Sequence, residues 1–147
     1  MAVAFDAISN HATGAAVTMS WTHTPAGTPK GIIVYVVGDE NTDDVTSVTY
    51  GGVAMTEVTG SPVLMGTTEI AAVHAFFLGS GIPTGAQTVQ VNHAGGTSFH
   101  HGDCLSVTAT GNTAIEDIDA TINSGSVANP SATLVIDEDS YISEVFM

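Results

Sequence analysis

Arginine is absent from this chain and Lys30 is its only lysine, against fifteen carboxylates, giving a formal charge of −14. Such a surface repels phosphate. Nucleic-acid binders need Lys and Arg to displace counterions, and peripheral membrane proteins need them to meet anionic lipid, so neither partner is expected. The missing arginine also removes the bidentate clamp that many enzymes use on carboxylate or phosphate substrates. Cysteine is nearly absent as well. Cys104 stands alone, so no intrachain disulfide can form and the compartment stays open. As a nucleophile it would have His100 and His101 nearby, but a half-buried thiol in a strand is the commoner case and the expected one. Long apolar runs are lacking too: the longest, Ile32 to Val37, is far short of the roughly 18 residues of a bilayer helix. The opening Met1 to Asp6 has neither a positive leader nor an apolar segment, so a signal peptide is not expected.

What is present suits strands. Hydrophobic residues make up 44% of the 147 while charged ones make up 11%, and polarity is carried by Thr, Ser, Asn and Gly, which favour exposed strand faces and turns. The length fits one domain, residues 1–147, with a core of its own. The organising stretch is Val45 to Val58, where two runs rich in Val, Thr and Tyr flank Gly51 and Gly52. A glycine pair supplies the positive φ angles of a tight two-residue turn, so a β-hairpin is expected there.

Taken in order, a weak strand signal runs from Val3 to Ile8. From Ala15 to His23, Val17, Met19 and Trp21 alternate with Thr18, Ser20 and Thr22, which places the apolar set on one face and Trp21 in the core. Pro25, Gly27 and Pro29 then mark a loop. Gly31 to Gly38 is an unbroken β-branched run, expected to be a central strand buried on both faces or nearly so. In Glu69 to Leu78 a helix competes, because Ala is a good helix former, but the surrounding turns favour a strand. That puts His74 in the interior. Gln87 to His93 and Phe99 to Thr110 read as two further strands. Short strands are also expected at Ala120 to Ile122, Ala132 to Ile136 and Tyr141 to Met147, the last ending in mid-strand, so the domain is expected to be incomplete at the C-terminus or to pair with a neighbour.

Two constellations could hold a cation. Asp39, Asn41 and Asp43 place oxygens at alternate positions, which suits calcium, although the sixth-position glycine and later bidentate Glu of an EF-hand are missing. A solvated acidic loop is the blander alternative, and no other cofactor is expected. His93, His100, His101 and Asp103 could be brought together for a transition metal. Adjacent His100 and His101 must point to opposite faces of a strand, however, so at most one of them joins Asp103.

Nine or ten short strands separated by Gly, Pro, Asn and Asp turns predict an all-β protein, a β-sandwich of jelly-roll or immunoglobulin-like arrangement. No internal repeat is evident. The succession of residues 45–56, then Ala75 to Leu78, then residues 81–91 resembles β-sandwich modules of phage virion proteins and of large secreted bacterial proteins. The resemblance covers about residues 15–110, rests on turn signatures, and transfers no active-site residue. It implies a noncatalytic building block, often on a particle exterior. The leading expectation is therefore a structural protein of a virus or phage particle, a capsid decoration or other component of the virion surface. Its partners would be capsid or sister subunits, and it would form a homo-oligomer or lattice. The alternative is an extracellular carbohydrate-binding or adhesin module with Trp21 or Tyr50 as platform and calcium at the acidic loop. An enzyme using His93, His101, Asp103 and Cys104 with a metal trails both, since no positive group steadies a developing anion.

Overall fold

The computed structural model describes residues 3–13, 16–39, 43–65, 71–95 and 99–110. The strands expected beyond residue 110 lie outside that set. Ten strands and no helix occur among the described residues: β1 (Val3–Thr13), β2 (Thr18–His23), β3 (Gly31–Gly38), β4 (Val45–Tyr50), β5 (Val53–Ala54), β6 (Thr56–Glu57), β7 (Val63–Met65), β8 (Ala71–Leu78), β9 (Gln87–His93) and β10 (His100–Ala109). They form two antiparallel sheets. The larger runs β1-β10-β3-β8-β6, with β7 also on β8, and the smaller runs β2-β9-β4-β5.

The pairings nest. β1 pairs with β10, β2 with β9, β3 with β8 and β4 with β5, and successive pairs fall in alternate sheets. That is one long antiparallel ribbon rolled up on itself, the jelly-roll arrangement. Its apex is the turn at Gly51 and Gly52, with φ of 55° and 79°, the positive pair that a tight hairpin requires. The run after the turn is divided, contrary to the simple hairpin expected: Val53 and Ala54 pair with β4, but Thr56 and Glu57 cross to pair with Phe77 and Phe76 of β8 in the other sheet. Met55, between them, is buried in the core.

Alternation on both sheets builds that core. Ile32, Val34 and Val36 of β3, Phe76 and Leu78 of β8, and Cys104 of β10 meet Met19 and Trp21 of β2, Val48 and Tyr50 of β4, and Val89 and Val91 of β9. β3 is central, as expected from its unbroken apolar run. β8 is a strand, so β-pairing to β3 outweighs the helix propensity of its alanines. Val17 breaks expectation: it lies just before β2 and is 59% exposed, because the core alternation starts only where pairing to β9 begins at Thr18. The first strand is longer than its sequence signal suggested and carries a bulge between Phe5 and Ala7. There the Asp6 carboxylate accepts hydrogen bonds from the amides of Ala26 and Gly27 and from the Ser106 hydroxyl, at 3.1, 2.8 and 2.7 Å, which ties down the Pro and Gly loop before β3.

Candidate functional site

The two outer faces of the sandwich differ in chemistry. On the smaller sheet, the residues alternating with the core are Thr18, Ser20 and Thr22, Ser47 and Thr49, and Thr88, Gln90 and Asn92, the polar face that an antiparallel sheet shows to water. On the larger sheet the same parity yields Ile33, Tyr35 and Val37 of β3, Val73, Ala75 and Phe77 of β8, and Leu105 and Val107 of β10. In register across four strands, Ile8, Leu105, Ile33 and Phe77 make one apolar row. Leu105 and Val107 are buried, while Phe5 and Ile8 on β1 are 50% and 60% exposed. Asp103 and His101 are the ionisable groups that β10 adds to this face, hydrogen-bonded to each other at 3.2 Å.

A second feature is buried. Asp44, just before β4, meets His93 at the end of β9 and His100 at the start of β10. The backbone fixes this meeting, since Val45 pairs with His93 and the Ala94 amide donates to the Asp44 carbonyl at 2.7 Å. His100 Nε2 lies 2.9 Å from Asp44 Oδ2, and His93 Nδ1 lies 3.9 Å from the same oxygen. The two imidazoles stack with centroids 3.6 Å apart and planes 27° from parallel. Among the described residues neither ring nitrogen of His93 has a hydrogen-bond partner, nor has His100 Nδ1. Each such buried orphan costs on the order of 1–3 kcal/mol. Burial, then the neighbouring His100, lowers the His93 imidazole to about 4, with Asp44 pulling the other way.

The residues expected to form sites are therefore redistributed. His100 and His101 do face opposite sides, and it is His101 that meets Asp103, on the exterior. The four-residue set of His93, His100, His101 and Asp103 is split between the interior and the outer face by strand parity. The same parity divides the catalytic set, with His93 and Cys104 inside and His101 and Asp103 outside. Cys104 is fully buried rather than half-buried, and burial raises its thiol pKa well above the usual range, which disfavours the thiolate a nucleophile needs. Trp21 is in the core as expected. Tyr50 is too, so neither offers a platform for a sugar ring.

In the acidic stretch, the Asp39 carboxylate accepts from the Phe99 amide at 2.8 Å. Asp43 is exposed, 4.0 Å from His74 Nδ1, and Asn41 lies outside the described residues. His74 is buried, bonded to Glu57 through Nδ1 at 3.1 Å. Asp44 is the residue that sequence reasoning missed. Its only signal was its place as the last carboxylate of the acidic run, directly before the inward-facing Val45. Comparison with protein-family models, with curated proteins and with solved structures finds no match to this chain.

Proposed function

We propose that this chain is a noncatalytic structural component of a virus or phage particle, a capsid decoration or other outer-surface subunit. It acts by self-association and adhesion to a protein lattice through the outer face of the larger sheet. The observation that carries the reading is the apolar row of Ile8, Leu105, Ile33 and Phe77 on a face where an isolated sandwich would place polar residues, buried at Leu105 and open to a partner at its β1 end, Ile8. The opposite face, of Thr, Ser, Asn and Gln, turns to water, and the net charge of −14 keeps the coat from adhering to nucleic acid. Exposed Phe5 and Ile8 on β1 extend the adhesive face to its edge.

The test is the particle mass of the untagged protein by mass photometry, alone and with candidate shells. Symmetric multimers or shell binding are expected, and Ile8→Asp, a change at an exposed position that spares the core, shifts the population toward monomer. A wild-type chain that stays monomeric and binds no shell refutes the reading.

A further inference from the structure

We propose that Asp44, His93 and His100 form a binding site for one first-row divalent transition-metal cation, zinc being the natural probe, which staples the segment before β4 to the facing ends of β9 and β10. Each of the three offers a donor atom within 4.8 Å of the other two, and all three side chains are buried. Both ring nitrogens of His93 are buried and unpartnered among the described residues, so the one lone pair of its neutral imidazole is left unused by the surrounding protein. A tetrahedral ion at about 2.0–2.1 Å from its ligands sets them about 3.3 Å apart. The separations of His100 Nε2 and His93 Nδ1 from Asp44 Oδ2, 2.9 and 3.9 Å, bracket that value.

The donor set selects the ion. Two imidazoles and one carboxylate suit zinc and its first-row neighbours, whereas calcium takes six to eight oxygens and would leave the imidazoles idle. The stacked rings must open so that each ring plane turns toward the ion. His101 and Asp103 take no part, being on the exterior face. The cation joins β10 of the larger sheet to β9 of the smaller one at one end of the sandwich, so its expected effect is on stability. This site is independent of the assembly reading: a monomer that binds zinc keeps the one and loses the other.

The experiment uses the untagged full chain, stripped with a chelator and titrated with zinc chloride by calorimetry and with cobalt chloride by visible absorption. One equivalent of zinc, the strong ligand-field bands of four-coordinate cobalt, and a melting temperature raised by about 5 °C or more at saturating zinc are expected. His93→Phe, which keeps a ring in the stack, loses all three responses, and His101→Ala retains them. Absence of stoichiometric zinc binding, a weak six-coordinate cobalt spectrum, or unchanged binding in His93→Phe overturns the proposal. Should His93→Phe fail to give a cooperative melt, Asp44→Asn is read in its place, and the wild-type cobalt spectrum decides the matter without any variant.

Discussion

Gly102 of β10 lies against the indole of Trp21, so close that a methyl group at position 102 would stand 2.6 Å from Trp21 Cη2 and 2.7 Å from Met19 Cε. The methionine end could swing aside, but the ring cannot, because its own nitrogen is bonded to Ser9. Gly102→Ala should therefore cost about 1–3 kcal/mol through overpacking. Urea denaturation of the two proteins measures it, and equal midpoints would show that Trp21 has room to shift.

Ser9 links two buried rings. The Trp21 indole can only donate, and it does so to the Ser9 hydroxyl oxygen at 3.0 Å, while the same hydroxyl is hydrogen-bonded to His23 Nδ1 at 2.9 Å. Ser9→Ala strands both partners in the interior. The expected loss is on the order of 1–3 kcal/mol by chemical denaturation, well above what removing one hydroxyl from a strand surface would produce.

Tyr50 offers the opposite case. Its hydroxyl is buried with no hydrogen-bond partner among the described residues, and burial, followed by Cys104 and Asp6, raises its pKa to about 12. Tyr50→Phe keeps the ring that packs edge-on to His23 and deletes the orphan, so it should leave stability unchanged or raise it by about 1 kcal/mol. A clear drop in melting temperature would mean that the hydroxyl is bonded after all.

His23 should make the fold acid-sensitive. Burial lowers its pKa below the usual histidine value, with Asp6 opposing. The folded state then binds fewer protons than the unfolded chain in the interval between the two values. Stability is therefore full above about pH 6.5 and falls as pH drops toward the folded value. Urea midpoints at neutral and mildly acidic pH should diverge more for the wild type than for His23→Gln, and parallel losses would assign the acid sensitivity to other groups.

Much of the fold was legible in the residues. The period of two in Met19 and Trp21, the β-branched run of β3 and the glycine pair at the turn are local signals, because a strand alternates its side chains whatever it pairs with. The same rule separated His100 from His101 without coordinates. It could not foresee that Thr56 and Glu57 leave the sheet of β4 for β8, or that Val17 falls outside the core. Both outcomes depend on where a neighbouring strand begins and ends.

The candidate sites show the division most sharply. From the sequence alone came the all-β class, the acidic surface, the buried Trp21, the interior His74 and the opposite sense of His100 and His101, all properties of residue type and strand period. Only the tertiary structure decided that Asp44 meets His100 across 56 positions of chain, and that Ile8, Leu105, Ile33 and Phe77 align in one row. Such neighbours are chosen by strand order and register, which arise from burying the shared core of both sheets at once and leave no mark in any local stretch of the chain.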